Sequence, residues 1–271
     1  MPELPEIETL AGQLRARITG STIEKARASN ASILNVAAAA FARRLAGQKI
    51  AGIIRQGKYI GLDLGAGRLW FHLGMSGQLI LAPAVPEGAK HVHVVMSIRP
   101  QGQVLYFRDP RRFGRVLLHD SKAPLPKRLV IVGPDPFQVS ADDFAGKMRG
   151  RSARIKSLLL NQTLVAGLGN IYADESLHRA GIDPRKRANR LPLERLLTLH
   201  AKVCETLAEA LACGGSTIED YRHLDGNLGG FQKRHRVYGK LGKPCPACAT
   251  PIRRVVISGR SSYFCPACQK P

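Results

Sequence analysis

The stretch CPACATPIRRVVISGRSSYFCPAC, Cys245 to Cys268, is where the fold is decided. It holds two Cys-x-x-Cys knuckles, Cys245/Cys248 and Cys265/Cys268, with sixteen residues between Cys248 and Cys265. Each knuckle offers two sulfurs from one tight turn, and four converging thiolates are what tetrahedral zinc takes. Four protein ligands leave no open position, so one structural zinc ion that folds the segment is expected, not a catalytic metal. Redox dithiols or disulfides are the competing reading. Between the knuckles, residues 252–257 and 261–264 read as a β-hairpin with Gly259-Arg260 at its tip. A hairpin carrying Arg253, Arg254 and Arg260 suits a nucleic-acid finger better than a protein-contact ribbon. The remaining Cys204 and Cys213 read as reduced, packed cysteines.

Composition points the same way. The 271 residues carry 41 Lys and Arg against 20 Asp and Glu, a net charge of +21, and are 44% hydrophobic. That suffices for a core and for two domains. The charge excess concerns partners, and a polyanion is the first candidate. Aromatics are 6% with one tryptophan, Trp70, which disfavours a single-strand binder built on stacking and favours a grip on duplex phosphates. There is no apolar run of bilayer-spanning length, no secretory leader and no basic amphipathic helix, so an intracellular protein without a membrane partner is expected.

Upstream of the finger, a glycine-dotted loop at 216–230 lacks a period and has the character of a mobile lid. Gly214-Gly215 stops a long helix over 193–212, whose Leu196, Leu199, Val203, Leu207 and Leu211 face inward. Further helices are expected at 141–149, 154–160 and 171–179. The turn Val165-Ala-Gly-Leu-Gly-Asn170 opens the helix at 171, with Asn170 as its N-cap and the helix start as an anion site. Flanked by helices, it has the form of a helix-two-turn-helix that grips a phosphate, although any helix start can carry such a turn. The proline-rich segment 120–136 reads as a linker. Before it, 49–64, 68–81, 91–98 and 104–107 alternate and are broken by turns, which suggests a β-sandwich or barrel.

Four places in this N-terminal part can carry chemistry. Met1-Pro-Glu-Leu-Pro-Glu6 opens an amphipathic helix whose Ile7, Leu10, Ala11, Leu14 and Ile18 form a buried stripe, with Pro5 at its first position. Methionine before proline is normally trimmed. That leaves the Pro2 secondary amine free to attack a carbonyl-like carbon and form a Schiff base, with Glu3 beside it as acid or base. A free α-amino group near pKa ~7.8 is neutral roughly one time in seven at pH 7. The plain alternative is a lead-in to the helix, and retention of Met1 would make the Pro2 nitrogen an amide. Asp109-Pro-Arg-Arg-Phe-Gly114 presents Arg111 and Phe113 on a braced turn, able to push into a base stack or simply to pack. Met75, in His72-Leu-Gly-Met-Ser-Gly77, can join that wedge or fill core. Lys58 begins an alternating strand; His91 and His93, two apart, share a strand face for phosphate contact, packing or metal.

Taken together these motifs resemble the bacterial formamidopyrimidine-DNA glycosylases. The resemblance runs in order through Pro2–Glu6, Gly57-Lys58-Tyr59, His72–Met75, Asp109–Gly114, Val165–Tyr172, Gly214–Thr217, Val237–Gly239 and the finger, essentially the full length. It implies an α+β fold: an N-terminal catalytic β-sandwich domain with an N-terminal helix (1–133), a helical helix-two-turn-helix DNA-binding domain (134–233), and a four-cysteine zinc finger (234–271). It implies a monomeric cytoplasmic enzyme of base excision repair that flips oxidised purines such as 8-oxoguanine out of damaged double-stranded DNA. Pro2 would displace the base through an imine, Glu3 would protonate the sugar ring oxygen, and β,δ-elimination would cut the strand. Lys58 matches a lysine that contacts phosphate and aids proton transfer. Arg260 and Asn170 would clamp the phosphate beside the lesion, near Tyr238, His72 and His91, with Arg151 as a further backbone contact. Arg111 would pair with the orphaned cytosine, while Met75 and Phe113 fill the vacated stack. Two positions depart from the family pattern: Asn161 stands where aspartate is frequent, and His91-Val-His93 replaces His-Asp-His. The rivals are the related endonuclease VIII branch, which prefers oxidised pyrimidines, and a non-catalytic zinc-ribbon DNA-binding protein. Leu4 and the 111–113 loop favour the purine branch, since the sister branch has glycine after Pro-Glu and lacks the wedge.

Overall fold

A computed structural model describes residues 1–270. They fall into two compact units, Met1–Val130 with Cys213–Gly230, and Ile131–Ala212 with Phe231 onward.

The first unit opens with α1 (Leu4–Ile18), capped by Glu3 and with Pro5 in its first turn. Ile7, Leu10, Ala11, Leu14 and Ile18 are buried along one face, as their spacing requires. Next come β1 (Thr22–Ala28), α2 (Ala38–Leu45), β2 (Gly52–Gln56), β3 (Tyr59–Asp63), β4 (Gly67–His72), β5 (Gln78–Ala82), β6 (Val92–Arg99), β7 (Gln103–Arg108), β8 (Arg115–Asp120) and a single turn, α3 (Lys127–Val130). The strands make two antiparallel four-stranded sheets, ordered β1-β6-β7-β5 and β2-β3-β4-β8. Alternation decides what each sheet buries. Ile23, Val94, Met96, Leu79 and Phe107 from one sheet meet Ile60, Leu62, Leu69, Phe71 and Val116 from the other in one core. The Phe71 and Phe107 rings stand 6.0 Å apart there. The alternating residues 49–64 form two strands turned at Gly57-Lys58, and those at 68–81 form two that belong to different sheets.

Cys213–Gly230 was expected in the helical domain, yet it packs in this first unit. Its polar backbone finds partners there: Leu81 N donates to Leu224 O at 3.2 Å, and Leu224 N to Gln13 Oε1 at 3.0 Å. Tyr221 and Leu224 join the sandwich core.

The second unit holds α4 (Ala141–Met148), α5 (Ile155–Leu159), α6 (Asn170–Arg179), α7 (Leu193–Ala212) and the hairpin β9 (Arg253–Ile257) and β10 (Arg260–Phe264). On α7, Leu196, Leu199, Val203 and Leu207 are buried as spaced, and Ala210 rather than Leu211 completes the stripe. The finger, expected as its own domain from residue 234, lies in the same unit as the helices. No helix among the described residues is long and apolar enough to cross a membrane.

Candidate active site and nucleic-acid interface

The start of α1 is locked by carboxylates. Glu3 is the N-cap, 3% exposed, and its backbone N donates to Glu6 Oε2 at 2.8 Å in a capping box. Glu6, itself 1% exposed, accepts Ser216 N on its other oxygen at 2.6 Å. Its carbonyl accepts the Tyr221 hydroxyl at 3.3 Å. Gly215, at φ +80°, makes this approach possible, because a Cβ there would stand 2.7 Å from Glu6 Oε1. Pro2 is buried at the head of this arrangement, while Met1 is exposed. The 213–230 segment is thus bonded to the turn that carries Pro2 and Glu3.

Lys58 occupies the β2–β3 turn and is 6% exposed. Arg55 fixes that turn against α1: its Nε donates to Glu8 Oε2 at 2.6 Å and its Nη1 to Gly57 O at 3.3 Å. Beside it, the His72 ring lies 4.8 Å from Tyr59, and Nδ1 accepts Gly74 N at 3.2 Å. Burial, then the positive charges of Lys58, Arg128 and Arg115, lower the His72 pKa to about 4. The ring is therefore neutral at physiological pH, and its proton sits on Nε2.

The wedge is built on Asp109, which is fully buried. Its carboxylate accepts the Ser76 hydroxyl at 2.6 Å and Gly114 N at 2.8 Å. His93 Nε2 donates to the Asp109 carbonyl at 2.8 Å. These bonds leave Arg111, Phe113 and Met75 outside, with Phe113 52% and Met75 42% exposed and the Arg111 guanidinium 4.8 Å over the Phe113 ring. Gly74, at φ +63°, packs backbone to backbone on this loop, since a Cβ would lie 2.6 Å from Phe113 C. The histidine pair is corrected. His91 precedes β6 at φ +64°, the β6–β7 register shifts between Val92 and Val94, and the two rings share no strand face.

In the second unit the 165–169 turn is buried and held by Gln162, whose Nε2 donates to Leu168 O at 2.7 Å while Oε1 accepts Gly167 N at 3.0 Å. The N-cap of α6 is Gly169, not Asn170. Asn170 is the first helical residue, and its Nδ2 donates to Ser261 O at 2.9 Å. That carbonyl also accepts Lys156 Nζ at 3.2 Å. Two donors therefore hold the backbone next to Arg260, which is exposed at the hairpin tip after Gly259. Lys156 and Asp174 are both fully buried and paired at 2.6 Å, and Asp174 Oδ2 accepts Tyr263 N at 2.9 Å. Burial raises the Asp174 pKa to about 7 against the pull of Lys156. Glu175 accepts Arg236 N, Val237 N and Tyr238 N at 2.9 to 3.1 Å, which sets Tyr238. Arg151 is exposed, its Nε donating to Lys147 O at 2.7 Å.

The four cysteines converge. Their sulfurs lie within 4.8 Å of one another, with Cys245–Cys268 at 3.9 Å and Cys248–Cys265 at 3.4 Å. A tetrahedron with Zn–S near 2.3 Å has edges of about 3.8 Å, whereas a disulfide needs about 2.05 Å. The donor set fits one zinc ion and excludes the disulfide reading.

Glu6, Asp109, Lys156, Asp174 and Glu175 were not singled out from the sequence as site residues. The signal available was a pair of adjacent carboxylates, Asp174-Glu175, in the helix that the glycine turn opens.

A sandwich with a proline-glutamate start, a glycine turn opening a helix, and a four-thiolate hairpin define a DNA-binding protein of the helix-two-turn-helix, zinc-finger class. Family models match in the same order: the formamidopyrimidine-DNA glycosylase N-terminal domain over residues 1–116, its H2TH domain over 132–222, and the zinc finger found in FPG and IleRS over 242–271. A formamidopyrimidine-DNA glycosylase of Solibacter usitatus is 46% identical over 272 residues, covering 100% of both chains. One of Chloroflexus aggregans is 41% identical, covering 99% of this chain and 98% of its own. Among solved structures, Lactococcus lactis Fpg in complex with an abasic-site DNA is similar at TM-score 0.92 and 36% identity, covering 99% of this chain and 100% of that one. MutM in complex with a carbocyclic 8-oxo-G DNA follows at TM-score 0.91 and 38%, with 100% of each chain covered. The chain belongs to the formamidopyrimidine-DNA glycosylase family.

Proposed function

We propose that this chain excises oxidised purines from duplex DNA through an imine on Pro2 and then cuts the strand. The observation that carries the reading is the buried Pro2-Glu3 start, held by Glu6, in a member of this family. Once Met1 is removed, the Pro2 lone pair attacks C1′ of the flipped nucleoside and the C1′–base bond breaks, its electrons leaving with the base. Glu3 protonates the sugar ring oxygen as the ring opens, giving an iminium. Loss of a C2′ proton breaks the bond to the 3′ phosphate, and the corresponding δ-elimination breaks the bond to the 5′ phosphate.

The other residues bind and orient. Lys58 contacts phosphate and moves protons near the sugar. His72, neutral, donates Nε2–H to a phosphate, and His91 and Tyr238 add contacts. Arg260 and Asn170 hold the phosphate beside the lesion, with Arg151 on neighbouring backbone. Arg111 pairs with the widowed cytosine, while Met75 and Phe113 occupy the vacated stack. The 216–230 segment covers the flipped base. The zinc ion, when bound, crosslinks the two knuckles so that Arg260 stands on a folded hairpin. The functional domains are taken as 1–133, 134–233 and 234–271, and the enzyme as a cytoplasmic monomer.

Borohydride trapping on a duplex with 8-oxoguanine opposite cytosine tests this. The expected result is a covalent protein–DNA species mapped to Pro2, absent in Pro2→Gly and in protein that retains Met1. No adduct with 8-oxoguanine, but one with an oxidised pyrimidine, would move the chain to the sister specificity. Tight DNA binding with no adduct on either would refute the enzymatic reading.

A further inference from the structure

The zinc knuckle has a neighbour that a four-thiolate site does not require. His178, on the last turns of α6, is 5% exposed, and its Nε2 stands 3.4 Å from Cys245 Sγ. Its Nδ1 is buried without a partner. A neutral imidazole carries one N–H. With the proton on Nε2 the ring aims its donor at sulfur and orphans only a lone pair. The other tautomer would bury an unpaired N–H, the rarer and costlier state. His178 supplies an N–H donor to the Cys245 sulfur. Cys265, the other buried ligand, takes the Cys268 backbone N at 3.5 Å. Four thiolates around one Zn²⁺ carry a formal net charge of −2, so a donor to a buried thiolate lowers the charge that ligand must hold.

His178 also completes a row. Residues 170, 174, 175 and 178 recur at helical spacing on α6. They bond in turn to Ser261 O, Tyr263 N, the 236–238 amides and Cys245 Sγ. The first three hold the hairpin and its lead-in; the last reaches a metal ligand.

We propose that His178 is an outer-sphere group of the zinc site, a neutral imidazole whose Nε2–H hydrogen-bonds the Cys245 thiolate and slows its release from zinc. This rests on the reading that the four cysteines bind zinc. Outer-sphere partners of metal ligands are typically worth 10- to 100-fold in metal affinity.

The test uses full-length protein. Metal analysis first counts zinc per chain, and less than one would refute the zinc reading itself. Zinc transfer to 4-(2-pyridylazo)resorcinol is then followed for wild type, His178→Phe, which keeps a buried ring without a donor, and His178→Gln, which keeps a donor. The expected result is release on the order of 10-fold faster for the phenylalanine variant. Iodoacetamide should label Cys245 on the same time course, and the glutamine variant should stay near wild type. Equal rates for all three, or equal acceleration in both variants, would overturn the proposal. A second measurement needs no substitution: with ¹¹³Cd in place of zinc, the wild-type His178 Nε2–H proton should show a scalar coupling to the metal through sulfur. A site filled with ¹¹³Cd and lacking that coupling overturns it equally.

Discussion

At His72 the surroundings choose the protonation state. Burial is the largest influence, and Lys58, Arg128 and Arg115 add to it, so the pKa falls from 6.5 to about 4. Gly74 N bonds Nδ1, so the neutral ring points its one N–H outward as a donor that stays constant through the physiological range. The same shift has a cost in acid. The folded state takes up this proton near pH 4, whereas the unfolded chain takes it up near 6.5. The contribution is therefore complete above pH 6.5, declines as pH falls, and is lost once pH passes below 4. Between pH 7 and 5 this predicts a loss of about 1–2 kcal/mol in unfolding free energy that His72→Gln should not show. Urea titrations of both proteins at the two pH values measure it. Equal pH dependence would mean that the ring titrates normally.

At the scale of elements, α6 is the part that pattern reading undervalued. Asp174, Glu175, Ser176 and His178 carry no hydrophobic signal, yet all are buried. Hydrophobic periodicity senses transfer from water and cannot see that Tyr263, Arg236, Val237 and Tyr238 offer backbone N–H groups to these carboxylates. Where burial was mostly apolar, as on α1 and α7, the spacing gave the buried face almost residue for residue. β1 escaped notice because Glu24, Lys25 and Arg27 dilute its alternation, and a register shift between Ile23 and Lys25 breaks it further. The cysteine knuckles and the braced Asp109–Gly114 turn were legible because their geometry is set by residues close in sequence. The link from Glu6 to Ser216 was not, since it spans 210 positions. The Lys156–Asp174 pair carries the prediction at this scale. Asp174→Asn leaves an ammonium buried without its counter-charge and should destabilise the protein by about 3–5 kcal/mol. Lys156→Met with Asp174→Leu removes both charges and should recover most of that loss. Thermal unfolding of the single and double variants decides it; a double variant no better than the single would mean that the pair is held by packing.

Over the whole molecule the excess of basic residues sets how DNA is held rather than how the chain folds. Each phosphate neutralised by Lys or Arg releases a counterion, so log affinity should fall linearly with log salt, with slope about −0.9 per phosphate. The neutral donors proposed to contact the backbone, His72, Asn170 and Tyr238, would not add to that slope. The charged groups proposed to contact phosphate are Lys58, Arg151 and Arg260, and the exposed Arg253 and Arg254 on the hairpin extend the set. A slope between about −3 and −5 is expected on a lesion duplex. Arg253→Gln with Arg254→Gln should make it shallower by about 2, one for each lost contact. Arg43 and Arg44 make the control. They line a cleft of about 230 Å³ with Gly67, His119 and Asp120, at the end of β4 opposite His72 and roughly 17 Å along the strand. Arg43→Gln with Arg44→Gln removes the same charge from the chain and should leave the slope unchanged. Fluorescence anisotropy between 50 and 200 mM salt, a range over which such a slope costs about 10²- to 10³-fold in affinity, resolves a change of one contact. If both pairs of substitutions flatten the slope alike, net charge alone governs binding and the finger is no privileged contact. If the hairpin pair alone does so, the affinity resides in the zinc-held arginines.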